Sequence, residues 1–169
     1  MSAFILSQIL IGISICFGLM SFQFKHRKQI LFCLFCCSVL IGSHFLLLEQ
    51  YTAAGLMVIS AIRTIVSMYI TSNKVMLIFL LLGTAVTFFT YSGLLSILSY
   101  IAASLSTIAS FRKDDKHLRQ IMMFATSFWL LNNYLASSPA AVLMEILFLS
   151  GNFFGYYRHY LKPKKFKNQ

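Results

Sequence analysis

Two charged side chains stand inside apolar runs of this chain: Arg63 within VISAIRTIVSMYITSNK, and Glu145 in the run that opens at Pro139. A charge at the centre of a membrane-spanning helix costs about 2.5–3.5 kcal/mol on insertion scales, so each needs a partner or water. Around Arg63, the residues Ser60, Thr64, Ser67 and Thr71 recur on one helical face. Glu145, Asn152, Tyr156 and His159 share a face in the same way. If both runs are helices entering from one side, the Arg63 and Glu145 Cα levels differ by roughly 6 Å at 1.5 Å rise per residue. An arginine spans that difference, so the expectation is an Arg63–Glu145 pair near the midplane. In the functional version Arg63 contacts an anionic or hydroxyl-bearing group and Glu145 balances charge or accepts a proton, with Asn152 nearby. In the plainer version the two form a structural ion pair, or snorkel separately into water.

A second polar set falls toward the far ends of the second and sixth runs. His44 follows Cys33 and Cys37 on one helical face, while Thr126, Trp129 and Asn133 form a stripe with Asn132 beside it. An asparagine amide both donates and accepts, and an indole stacks on a sugar or base. His44, Asn132, Asn133 and Trp129 are therefore candidate lining for a small polar solute. The competing reading is hydrogen bonding between helices, with Trp129 as an interfacial anchor. Cys33, Cys36 and Cys37 share one helix without a second cluster, which reads as packing and not as a metal site. The row Ser92, Ser96, Ser99, Ala103, Ser106 and Ser110 reads as a close-packing face. No P-loop, GxSxG, HExxH or paired intramembrane aspartate occurs, so no enzyme and no cofactor are expected.

The elements holding these residues follow from composition. Of 169 residues, 59% are hydrophobic and 11% charged, with a net charge of +10 and a mean hydropathy of +0.79. A soluble domain carries about 25% charged residues, so an integral membrane protein is the class that fits. Seven apolar runs near membrane-spanning length cover about 3–23, 29–48, 53–71, 75–91, 93–111, 120–136 and 139–160. Ser138 and Pro139 mark the last start as cap and first-turn residue. With seven spans, all 14 lysines and arginines except Arg63 fall on one side, while Glu49 is the only charge in the segments of the other. The positive-inside rule then places the N-terminus outside and the C-terminus in the cytoplasm. The basic clusters are short and lack interleaved aromatics, which excludes nucleic acid and points to anionic lipid headgroups.

The halves echo each other. Ala53-Ala54-Gly55-Leu56-Met57 matches Ala140-Ala141-Val142-Leu143-Met144, and Ser7, Ser14, Gly18 are spaced like Ser99, Ser106, Ser110. This suggests a parallel 3+1+3 repeat within one membrane domain 1–169: a half over 3–71, a linker helix over 75–91, and a half over 93–160.

Ile41-Gly42-Ser43-His44-Phe45-Leu46-Leu47-Leu48, Ala61-Ile62-Arg63-Thr64 and the series Asn133, Glu145, Phe148, Asn152 resemble the YgjV-type bacterial inner membrane proteins. That resemblance runs over nearly the whole chain and implies an inner-membrane location without a defined chemistry. The layout is also similar to SWEET and PQ-loop transporters. Those use prolines within spans as hinges, whereas this chain has only Pro139 and Pro163. The expectation is thus a seven-helix carrier or facilitator of a small polar solute, acting between the two halves. Its rival is a non-transporting scaffold or sensor with a basic cytoplasmic face.

Overall fold

The computed structural model describes residues 2–21, 27–112 and 114–161. The described chain is helical: α1 (Ala3–Ser21), α2 (Arg27–Leu47), α3 (Tyr51–Tyr69), α4 (Asn73–Thr90), α5 (Leu94–Ser110), α6 (Asp115–Leu135) and α7 (Pro139–Tyr156). A π-helical stretch, Tyr157–Leu161, continues α7. The expected runs are recovered with shifted ends, α6 most of all. It starts at Asp115 because Asp114 accepts a hydrogen bond from the Lys116 N–H (3.1 Å) and caps it. Lys25, His26 and the basic tail beyond Leu161, expected at the cytoplasmic face, lie outside the described residues, as does the side chain of His159.

Consecutive helices pack on one another, and the α1–α7 and α3–α5 contacts close the bundle. α1 meets α2 and α7; α3 meets α2, α4 and α5; α6 meets α5 and α7. Following α1, α2, α3, α5, α6 and α7 leads back to α1, and α4 lies against α3 and α5. At the α3–α4 contact Gly55 is required: a Cβ there would stand 2.7 Å from Val86. Two apolar clusters fill the bundle. One joins Phe45, Leu56, Met57, Ala102 and Trp129, and the other joins Ile11, Ala141 and Met144, with Ile41 packed on both. The expected serine row of α5 is buried from Ser96 to Ser106. Its small side chains let three neighbours, α3, α4 and α6, approach one helix.

Outward, the helices are covered with large apolar side chains, such as Phe89 on α4, which is 83% exposed. In water such a surface would aggregate; in lipid it is solvated. Three helices, α1, α4 and α7, are long and apolar enough to cross a membrane by length and composition.

The turns α2–α3 and α6–α7 are built alike. In the first, the Gln50 N–H donates to Phe45 O (2.9 Å) and the Leu48 N–H to His44 O (3.2 Å); in the second, Ser138 donates to Asn133 O (3.0 Å) and Ala136 to Asn132 O (2.9 Å). Both pass through a non-glycine residue at positive φ, Glu49 at 58° and Ser137 at 53°. Chain reversal with αL geometry satisfies the last carbonyls of each helix. The α4–α5 link Tyr91-Ser92-Gly93, three residues long like the other two, turns at Gly93 with φ 113°, a conformation open to glycine.

Candidate functional site

Arg63 sits in the fourth turn of α3 with 6% of its surface exposed. Its Nη1 donates to Thr107 Oγ1 (2.7 Å) and Ala103 O (3.4 Å) on α5, and its Nη2 donates to Ser60 Oγ (2.9 Å) one turn back. Neutral oxygens therefore disperse the charge, while Nε has no partner. The space beside it, between α3, α4 and α5, is about 10 Å³, close to the smallest volume that holds one water.

Glu145 is 7% exposed and makes no hydrogen bond or ion pair with a described residue. The expected Arg63–Glu145 pair does not form. The reason is topological: α3 packs on α2, α4 and α5, whereas α7 packs on α1 and α6. Spacing along each helix gives a residue's height in its own span but says nothing about which helices are neighbours. Asn152, one helical face further along α7, is half-buried.

The second polar set lies at the end of the bundle carrying Glu49, with His44 and Asn132 in separate hydrogen-bonded groups. His44 is fully buried, and its Nδ1 lies 3.1 Å from Ser7 O. That carbonyl only accepts, so Nδ1 carries the proton and Nε2 faces Ser138 Oγ at 3.5 Å as an acceptor. Asn132 is also fully buried; its Nδ2 donates to Gln50 Oε1 (3.1 Å) and its Oδ1 accepts from Ser99 Oγ (3.2 Å). Each of these side chains ties a serine of the preceding helix to a turn on the opposite side of the bundle. Asn133, beside it, is buried with both amide atoms unpartnered, and Ser14 Oγ on α1 is unpartnered as well.

Trp129 is 8% exposed and stacks on Phe45 with ring centroids 5.5 Å apart. The reading of Trp129 as an interfacial anchor is therefore corrected: it is a core side chain, because α6 turns it toward α2 and not toward lipid. Ser138 does not cap α7 with its side chain. Gln8 of α1 does so instead, its Oε1 accepting from the Ala140 N–H (3.0 Å) and its Nε2 donating to Ser138 Oγ (3.1 Å). Cys37 Sγ donates to Ser14 O (3.3 Å), a packing contact between α1 and α2.

Sequence reasoning missed Gln8, Gln50 and Thr107. Each is a polar side chain close to or within an apolar run, the signal by which buried partners in membranes are found. At the basic end, Asp114 also pairs with His117, and that hydrogen bond holds its carboxyl below the ordinary carboxylate range. An open hollow of about 630 Å³ lies there between Asn73, Phe111, Arg112 and His117.

Buried, intramolecularly bonded polar groups under a lipid-compatible exterior define a helical integral membrane protein. The family model for the Imp-YgjV bacterial inner membrane proteins matches residues 5–163. The inner membrane protein YgjV of Escherichia coli (strain K12) is 31% identical over 143 residues, covering 85% of this chain and 75% of that protein. The chain belongs to this family of bacterial inner membrane proteins. No solved structure matches it.

Proposed function

We propose that the protein is a carrier or facilitator of a small polar solute. In this reading all seven helices cross the inner membrane, the Glu49 end faces outward, and the basic end faces the cytoplasm and anionic headgroups. α1–α3 and α5–α7 form a parallel repeat that rocks about its two seams, α1–α7 and α3–α5. The like-built turns support the repeat, since His44 with Asn132, Glu49 with Ser137, and Gln50 with Ser138 stand at one constant separation in sequence. That register pairs Ala53 with Ala141, one residue away from the alignment of alanines that sequence alone suggested.

Glu145 carries the proposal. A carboxyl taken out of water without a partner costs several kcal/mol, and membrane helices retain such groups along solute and proton routes. Ser14 on α1, Asn133 on α6 and Asn152 further along α7 itself are the polar groups offered to a solute on its way past Glu145, while Arg63 serves the α3–α5 seam. His44 and Asn132 then close the outward end.

The test is swelling of proteoliposomes challenged with polyols, small amides and zwitterionic solutes. At least one class should enter faster through the wild type than through empty vesicles. Glu145→Gln should slow that entry by about 10–100-fold, the factor for losing one charged hydrogen-bond partner at about 1.5–3 kcal/mol. Equal rates for wild type and empty vesicles across all classes would favour the second reading, a membrane scaffold. The observation favouring the scaffold is the packed Phe45–Trp129 stack where α2 faces α6.

A further inference from the structure

The two like-built turns differ in what occupies the space beside them. Next to α6–α7, the Gln8 carboxamide fills it: Oε1 accepts from the Ala140 N–H, and Nε2 donates to Ser138 Oγ and Ser7 Oγ (both 3.1 Å). Next to α2–α3, the register of the turns gives Thr52 for Ala140 and Gln50 for Ser138, and Ser99 stands for Ser7 because it bonds Asn132 as Ser7 bonds the matched His44. The residue corresponding to Gln8 is Tyr100, and its hydroxyl is turned to Thr84 Oγ1 on α4 (2.8 Å). A cavity of about 140 Å³ remains, lined by Glu49, Gln50, Thr52, Ser92, Ser96 and Ser99 among others. Gln50, 8% exposed, gives its Oε1 to Asn132, but its Nε2 bonds to no described group. α3 begins in this cavity without a side-chain cap.

We propose that this cavity is a binding site for a small primary carboxamide, seated as the Gln8 side chain is seated in the other half. The amide oxygen accepts from the first turn of α3 and from Gln50 Nε2; the amide nitrogen donates to Ser99 Oγ and toward the Glu49 carboxylate at the rim. The exposed N–H groups of a helix start disfavour an ammonium group, and Glu49 disfavours a carboxylate. A neutral group that both donates and accepts satisfies both edges. The volume equals roughly four or five waters at about 30 Å³ each, the size of propionamide. The site lies at the Glu49 end, away from Glu145, and does not rest on the transport reading.

Saturation-transfer NMR on the full-length protein in detergent tests this, with propionamide as the probe and propionate, propylamine and 1-propanol as shape-matched controls. Propionamide should bind saturably in the millimolar range, with each control at least ~10-fold weaker, since each leaves a buried partner unpaired. Tyr100→Gln supplies the missing carboxamide from within and should abolish binding. Tyr100→Phe, which loses the Thr84 contact but adds no amide, should keep it, and so should Glu145→Gln. If Tyr100→Gln does not fold, Leu95→Phe fills the cavity from its wall and should also abolish the signal. Binding no better than the controls, unchanged binding in Tyr100→Gln or in Leu95→Phe, or equal loss in Tyr100→Phe overturns the proposal.

Discussion

Arg63 shows how a single cation is accommodated in an apolar interior without an anion. Three neutral oxygens, from Thr107, Ala103 and Ser60, take the guanidinium protons. Hydrogen bonds to a charged group contribute about 1.5–3 kcal/mol each, comparable with the insertion cost of the charge. The Thr107 contact is the shortest of the three at 2.7 Å, and the carbonyl of Ala103 also accepts from Thr107 itself (2.8 Å). Thr107→Val should therefore lower stability in detergent by ~1–3 kcal/mol, while Thr107→Ser should cost under ~1 kcal/mol. Chemical unfolding midpoints check both; equal stability of the valine variant and wild type would show that Arg63 does not rely on α5. That Thr107 is the partner of Arg63 could not be read from spacing, because the contact crosses from α3 to α5.

Among the elements, the two reversals are the most constrained. Each places an L-residue at positive φ, which costs roughly 1–2 kcal/mol relative to right-handed geometry. Glycine escapes that cost and returns part of it as unfolded-state entropy. Ser137→Gly should raise stability by ~0.5–1 kcal/mol, and Ser137→Val should lower it by more than ~1 kcal/mol, read as shifts in thermal midpoint. Gln50 and Ser138 follow these residues directly and reach across the bundle to Asn132 and His44. The tight turns thus position the polar groups that join opposite sides. The helix starts were legible from Ser138-Pro139, yet the cap came from Gln8 on α1. A capping partner distant in sequence leaves no local signature.

For the whole molecule, the charge distribution defines one basic end and one end whose described charge is Glu49. Basic residues resist translocation, so the basic end should be cytoplasmic. In a cysteine-free background, Glu49→Cys should react with a membrane-impermeant maleimide on intact spheroplasts, and Arg112→Cys only after permeabilisation. The opposite pattern would reverse the topology. The closed path of helices, with α4 set against α3 and α5, also explains why Arg63 and Glu145 part company: they lie at different seams of the bundle.

Sequence alone determined that this is a membrane protein, that its helices fall between short polar links, and which family it resembles. These follow from apolar run length and charge placement, which the bilayer reads locally. It also singled out Arg63, His44, Asn132, Asn133 and Glu145, all of them buried, because lipid penalises each polar group individually. Tertiary structure decided the partners: Thr107 for Arg63, Ser7 and Ser138 for His44, Gln50 and Ser99 for Asn132, and none among the described residues for Glu145. Helical periodicity gives the direction of a side chain about its own axis, but the neighbour in that direction is set by how seven helices pack.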